Sequence, residues 1–234
     1  MLSQSQEKLI RSLHNKKGRD ASGLCLVEGR KVVRVATEAR AVEFSFTSKD
    51  SRDFAALVTT ETPQDIAAVA RCPQWDDADI QRAPTLVVLD GVQDPGNVGT
   101  IVRLCLGFDA ALVLVESADA ASPKVVRSSV GAVFQVPSLP MTRADAEEYV
   151  ASFADERPVF RLEKVSGGVG VDAARAQKQQ KIIVIAGSEG KGIRMSAPGI
   201  SLVIAHSQAL ESLNVAQAVG IVLHERYNRG ILQK

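Results

Sequence analysis

Missing from this sequence are the features that would place it in a membrane, outside the cell or around a metal. No stretch approaches the roughly 20 apolar residues of a spanning helix, and Met1-Leu2-Ser3-Gln4-Ser5-Gln6 lacks the apolar run of a signal peptide. A cytoplasmic protein without a membrane partner is therefore expected. The three cysteines, Cys25, Cys72 and Cys105, are odd in number and far apart, with no C-x-x-C spacing. They read as reduced, mostly buried thiols, and no metal site is expected. There is no repeat of solenoid period and no low-complexity tract; residues 165–170 form only a short Gly-rich loop. The formal net charge is +1, which by itself argues against gripping nucleic acid by long-range electrostatics.

What is present suffices for one large domain or two ordinary ones: 234 residues, 45% apolar, 24% charged and 4% aromatic. Charge is unevenly spread. Residues 1–40 carry nine basic side chains (Lys8, Arg11, Lys16, Lys17, Arg19, Arg30, Lys31, Arg34, Arg40) against four acidic ones, leaving the other 194 residues net negative by four. Such a front is either a solvated helix followed by a loop or a phosphate-binding module.

Periodicity divides the chain near residue 80. Leu9, Ile10 and Leu13 lie on one side of a charged helical segment, residues 15–22 read as a polar turn, and Leu24-Cys25-Leu26-Val27 reads as a strand. A helix over 29–41 and strands over 42–47 and 56–59 complete a small α/β unit. Cys72-Pro73-Gln74-Trp75-Asp76-Asp77 and the polar run to Pro84 read as a linker, because prolines and carboxylates replace periodic apolar residues. Beyond it come β-α repeats, with strands expected at 85–89, 111–115, 134–136, 158–162, 181–186 and 201–205. Runs such as Leu86-Val87-Val88-Leu89 and Ile182-Ile183-Val184-Ile185-Ala186 suit a mostly parallel sheet covered on both faces. Ligands of such sheets sit at the carboxyl ends of the strands.

Three of those strand ends lead into loops rich in glycine and polar side chains, at 90–103, 187–193 and 206–214. In the first, Pro95-Gly96 makes a turn and Asn97 reads as a helix N-cap, with Arg103 in the second turn of an otherwise apolar helix. A buried arginine there requires an anionic partner. The second, Gly187-Ser188-Glu189-Gly190-Lys191-Gly192-Ile193, fails as a Walker loop, since Ile185 stands where the first glycine belongs and Gly192 where Ser or Thr belongs. No strand leads into G-x-G-x-x-G either. Its glycines instead let the main chain approach a flat ligand. In the third, Ser212 reads as an N-cap or as a functional residue. The helix that follows, to Tyr227, is apolar around nearly its whole circumference, so it needs a partner besides the sheet, and a homodimer interface is expected.

Together the loops resemble the SpoU/TrmH group of RNA ribose 2′-O-methyltransferases, whose motifs are N-x-G-x-x-x-R, G-x-E-x-x-G and S-L-N. Here they read Asn97-Val98-Gly99-Thr100-Ile101-Val102-Arg103, Gly187-Ser188-Glu189-Gly190-Lys191-Gly192 and Ser212-Leu213-Asn214. Two further segments are similar: Ser122-Pro123-Lys124-Val125-Val126-Arg127-Ser128-Ser129-Val130-Gly131-Ala132, and Val27-Glu28-Gly29-Arg30, which resembles the signature of the family's amino-terminal domain. The likeness covers most of the chain. It implies an α/β fold with a trefoil-knotted, mostly parallel sheet domain over 81–234, preceded by a small amino-terminal α/β RNA substrate-binding domain over 1–80. It also implies methyl transfer from S-adenosyl-L-methionine to a ribose 2′-hydroxyl of structured RNA, at a dimer interface. Ribosomal RNA is favoured over tRNA, because single-domain relatives serve the tRNA wobble base.

By the same resemblance, Arg103, Asn97, Glu189, Ser212 and Asn214 form the catalytic set, and backbone at Gly187, Ile204 and Leu213 holds the cofactor. Lys16, Lys17, Arg19, Arg30 and Arg127 are the expected RNA contacts. The family's proposed base matches Arg103, yet a guanidinium keeps its proton at pKa above about 12. Arg103 is therefore read as a phosphate clamp that stabilises developing negative charge, and the base is left unassigned. The chain departs from the family at Ile204-Ala205-His206-Ser207-Gln208, where I-P-M-x-G is usual, and at Ser188, where many relatives have Asn. His206 reads as a surface-loop residue; otherwise it would face the cofactor pocket. The departure supports one alternative, a catalytically inactive RNA-binding or ribosome-assembly factor. A tRNA 2′-O-methyltransferase is another, and the basic front argues against a small-molecule methyltransferase.

Overall fold

The structure, a computed structural model, describes residues 1–234 except 154, 172, 174–180, 208 and 232–234, together with the side chains up to 227. Continuous apolar runs become the strands of a parallel sheet: β4 (Thr85–Asp90), β5 (Ala110–Val115), β6 (Ser138–Met141), β7 (Val159–Leu162), β8 (Val169–Gly170), β9 (Ile182–Gly187) and β10 (Ile200–Val203). Their order is β6-β5-β4-β9-β7-β10-β8, and every pairing is parallel. β4 and β5 are buried throughout because helices cover both faces. Val87, Leu89, Leu112 and Leu114 pack towards α6 (Pro95–Gly107) and α9 (Val215–Ile231), whereas Leu86, Val88, Ala111 and Val113 pack towards α8 (Arg143–Ala151).

The amino-terminal part contains α1 (Gln4–Ser12), α2 (Lys16–Ser22), α3 (Arg30–Glu38) and α4 (Phe54–Leu57) around an antiparallel sheet of β1 (Leu24–Glu28), β2 (Val42–Phe46) and β3 (Ala67–Arg71), ordered β1-β3-β2. One face of this sheet packs Leu26, Phe46 and Val69 against Ile10, Leu13 and Leu57. From the other, Cys25, Val27, Ala68 and Ala70 join the cluster that holds Val125 of α7 (Pro123–Ser128), Ala132 and Phe134. The two parts therefore share one core across residue 80.

Several local expectations give way. The turn expected at 15–22 is α2, with Asn15 Oδ1 accepting from Gly18 N–H at 2.9 Å and Gly23 ending it at φ +68°. Residues 56–59 are not a strand but follow and overlap α4, and the third strand is the alanine-rich β3, whose small side chains fit between two packed layers. The linker holds a short helix, α5 (Asp77–Arg82), closed by a capping box of Asp76 and Asp79. Residues 134–136 lie in and after a 3-10 turn (Ala132–Phe134) that follows Gly131 at φ +82°; the strand starts beyond Pro137.

Two expected RNA contacts are tied to carboxylates within the chain, Arg19 buried and Arg127 a third exposed along a groove with Arg30 and Lys31. Arg19 is 5% exposed, with Nε and Nη2 donating to Asp119 Oδ2 at 2.9 and 2.7 Å and Nη1 to Leu13 O at 2.8 Å. Arg127 Nη1 donates to Glu28 Oε2 at 2.5 Å, while Glu28 Oε1 accepts from Thr59 N–H and Oγ1. Both pairs cross between the two parts of the chain, where a buried charge must find its partner.

Gly99 explains another requirement of the sequence. A Cβ there would lie 1.9 Å from Ser128 Oγ and 2.9 Å from Ser129 N, so only glycine lets α7 reach α6. Gly99→Ala is expected to lower unfolding free energy by about 1–3 kcal/mol in urea denaturation, whereas Gly107→Ala, with open space at its Cβ, should not destabilise. Arg19→Ala should cost about 3 kcal/mol, the lower end for a broken buried pair because Asp119 stays 25% exposed. A fall in RNA affinity with unchanged stability would contradict the internal role.

Candidate functional site

The three motif loops meet at the carboxyl end of the sheet. α6 begins before Asn97: Asp94 caps it, accepting from Gly96 N–H at 3.0 Å, with Pro95 in the first turn. Asn97 is thereby released from the capping role expected of it. The N-cap of α9 is Asn214, whose Oδ1 accepts from Ala216 N–H at 2.9 Å and Gln217 N–H at 3.3 Å, so Ser212 does not cap the helix. Those backbone donors fix the amide's orientation. Asn214 Nδ2 consequently donates to Asn97 Oδ1 at 2.9 Å, and Asn97 Nδ2 donates to Glu189 Oε1 at 2.6 Å. One directed relay thus joins residues from all three motifs, and its ends, Asn214 and Glu189, are exposed.

Beside the relay the second loop turns back on itself. Gly192 N–H donates to Ser188 O at 2.8 Å, with Gly192 at φ +61°. A Cβ on Gly187 would lie 2.1 Å from the Gly192 carbonyl carbon, so this strand end is closed to any side chain. Ile204 and Leu213 line a cleft with Leu162, Leu202 and Val203, and Glu163, Lys164, His206 and Ser212 add polar groups. Lys164 Nζ donates to Glu211 O at 2.8 Å, closing one side. Glu163 accepts from Ser201 Oγ at 2.6 Å and Arg161 Nε at 3.1 Å; these bonds outweigh burial and hold its carboxyl below the usual range. His206, expected on the surface, is half-buried and lines the cleft, its Nδ1–H donating to Ile204 O at 2.7 Å. Gln208 lies outside the described residues.

Arg103 stands apart from this cluster. It was expected to be buried and paired. Instead α6 buries Val98, Ile101, Val102 and Cys105, leaving Arg103 exposed with Thr100 and Leu106 and without an ion pair among the described residues. The same burial pushes the Cys105 thiol up to about 12. α9 is likewise one-sided: Val219, Val222 and Leu223 are buried, whereas Ile221 and Tyr227 keep 37% exposure. The Phe108 ring at the end of α6 meets the Tyr227 ring at 5.5 Å between centroids.

Of the remaining expected RNA contacts, Lys17 and Arg30 are exposed and Lys16 pairs with Asp20 at 2.9 Å. Arg30, Lys31 and the expected contact Arg127 line an open groove with Gly29, Thr60 and Gln64. Sequence reasoning missed Glu163 and Lys164, which follow an unremarkable strand, and Asp90 with its partner Arg143. For Asp90 a signal existed: a carboxylate ending a run of apolar strand residues.

Residues 84–224 match the model of the SpoU rRNA Methylase family. The 23S rRNA (guanosine(2553)-2′-O)-methyltransferase RlmP of Bacillus subtilis is 30% identical over 240 residues, covering 92% of each chain. A putative RNA methyltransferase of the TrmH family from Porphyromonas gingivalis superposes with a TM-score of 0.81 at 30% identity, over 98% of this chain and 99% of that one. The AdoMet-bound rRNA methyltransferase from Sinorhizobium meliloti has the same fold, with a TM-score of 0.83 at 24% identity over 98% and 96%. With three separated motifs joined in one polar relay and the family model matched over more than half its length, the chain belongs to the SpoU rRNA Methylase family.

Proposed function

We propose that this protein transfers the methyl group of S-adenosyl-L-methionine to a ribose 2′-hydroxyl of ribosomal RNA in the cytoplasm. The observation that carries the reading is the Asn214–Asn97–Glu189 relay beside the apolar cleft of Ile204 and Leu213. The donor set fits the cofactor: aliphatic walls for a flat adenine and polar groups at Glu163, Lys164 and Ser212. S-adenosyl-L-methionine supplies an activated methyl carbon when bound. The chain's own residues must align the ribose oxygen and offset the charge that develops as the hydroxyl loses its proton. Asn97, Glu189, Ser212 and Asn214 organise that position.

Arg103 acts as the phosphate clamp, because it is exposed, permanently charged and unpaired among the described residues. It is exposed on α6 with Leu106, and α9, which packs on α6, exposes Ile221 and Tyr227; these apolar side chains suit contact with a second copy of the chain. A homodimer would therefore bring Arg103 to the edge of the shared interface, in keeping with catalysis where two subunits meet. We read the carboxyl-terminal segment, from β9 through β10 to α9, as the trefoil knot of the family. Residues 1–80 form the RNA substrate-binding part, with Lys16, Lys17 and Arg30 facing the phosphates. The identity of the relatives and the presence of this amino-terminal part favour ribosomal RNA over tRNA. The altered Ile204-Ala205-His206-Ser207 stretch favours a second reading, an inactive RNA-binding factor, which calorimetry with S-adenosyl-L-methionine separates: that factor would not bind it.

Mapping of 2′-O-methylation in total RNA, with and without the gene, should reveal one ribosomal position lost; an unchanged map refutes the substrate. Arg103→Ala should lower methyl transfer by about 100-fold or more while the cofactor still binds. Arg103→Lys should rescue poorly, with a pH profile parallel to that of the unmodified enzyme; a rate climbing towards the lysine pKa would instead identify a titrating base. Lys17→Ala and Arg30→Ala should each reduce the slope of log affinity against log salt by about 1. Ile221→Glu should give monomers by light scattering, and a variant that remains dimeric would move the interface elsewhere.

A further inference from the structure

We infer that Asp90 is a positioning residue for the second motif loop, holding Glu189 in place by gripping the chain on both sides of it. The inference deepens the methyltransferase reading and rests on it for its consequence in catalysis. Asp90 ends β4 with a side chain at 0% exposure. A carboxylate buried so completely must have its lone pairs satisfied. Oδ1 accepts from Arg143 Nη2 at 2.8 Å and Nε at 3.2 Å. Oδ2 accepts from the main-chain N–H of Met195 at 2.7 Å and from that of Arg194. The main-chain oxygen of Asp90 accepts from Ser188 N–H at 3.2 Å.

One residue therefore fastens the loop at 188 and again at 194–195, with Glu189 between. Arg143 is fixed in turn by Glu116 at 2.6 Å, and Glu147, one turn further along α8, accepts from Ser196 N–H at 2.6 Å. The pairing of β4 with β9 uses main-chain groups and does not need the Asp90 side chain. Nor does that side chain bond Asn97 or line the cleft. Its effect on the reaction must pass through the loop: without the carboxylate, the Arg194 and Met195 amides lose a charged acceptor, and Glu189 loses the fixed base from which it meets Asn97.

Asp90→Asn keeps the shape and removes the charge. Four quantities test it: hydrogen exchange of residues 187–196, S-adenosyl-L-methionine affinity by calorimetry, single-turnover methyl transfer to RNA, and RNA affinity. The expected result is at least tenfold faster exchange at Arg194 and Met195, with cofactor affinity and transfer each at least tenfold poorer. RNA affinity should stay within twofold and exchange in β5 should be unchanged. Arg143→Gln should loosen the two amides less, because they bond Asp90 and not Arg143; equal loosening would indicate a merely structural pair. Unchanged loop exchange, or a loosened loop with cofactor affinity and transfer within twofold of the unmodified chain, overturns the inference. Should Asp90→Asn fail to fold because Arg143 loses its buried carboxylate, the Asp90→Asn/Arg143→Gln chain takes the same measurements with the same deciding results. If the unmodified chain neither binds the cofactor nor methylates RNA, the methyltransferase reading fails, and loop exchange alone decides whether Asp90 is the clamp.

Discussion

The register between β4 and β9 governs the site. Thr85 lies opposite Ile182 and the ladder continues without a break to Asp90 opposite Gly187, so the first and second motif loops leave the sheet side by side. That register is enforced by burial on both faces. Ile183 and Ile185 pack towards α8, while Ile182 and Val184 pack with Phe160 and Val222. A slip of one residue would exchange the two sets and leave neither face filled. Given this alignment, Asn97 can meet Glu189 across 92 residues of sequence, and α9, packed on α6 and β9, brings Asn214 to the same point across 117.

The amino-terminal part is bound to this frame more tightly than its composition suggests. Cys25, Val27 and Ala70 share a cluster with Val125 and Ala132, and the Arg19–Asp119 and Arg127–Glu28 pairs span the boundary. Its positive charge is correspondingly reduced as a free resource. Arg11, Lys16, Arg19 and Arg34 each have an acidic partner within the chain, at 2.6, 2.9, 2.7 and 3.7 Å. Exposed pairs of this kind are weak and can yield to phosphate, but the buried Arg19 pair cannot. Lys8, Lys17, Arg30, Lys31 and Arg40 remain exposed, two of them along one groove at the start of α3. If this part binds RNA as proposed, that binding falls to these placed cations rather than to its overall charge.

Much of the larger sheet was legible in the sequence because strands covered on both faces must be apolar without interruption, as 85–89 and 182–186 are. The failures have physical reasons. β3 is built from alanines that have low strand preference and are placed there by the packing on either side, which no local pattern reveals. Asn97, Asn214 and Ser212 all resemble caps, and only the geometry shows that Asp94 takes the first helix and Asn214 the second. Arg19 reads as a free charge in the sequence because its partner, Asp119, is 100 residues away, and the Arg127–Glu28 pair is hidden in the same way by 99 residues. The motif residues were identified by resemblance, whereas their joining into a relay depends on tertiary contacts.

Arg103 is the instructive exception, since an arginine expected to be buried is exposed. A buried guanidinium would have been neutralised by an internal carboxylate, leaving nothing with which to hold a phosphate. An exposed one on the rigid outer turns of α6 keeps its five donors and its charge for an external anion. The helix supplies what a loop could not, namely a fixed direction relative to Asn97, six residues earlier on the same element. Polar groups of the site are thus divided by rigidity and exposure. The amides bond to one another and set the geometry, while the Arg103 guanidinium stays exposed and without an ion pair among the described residues.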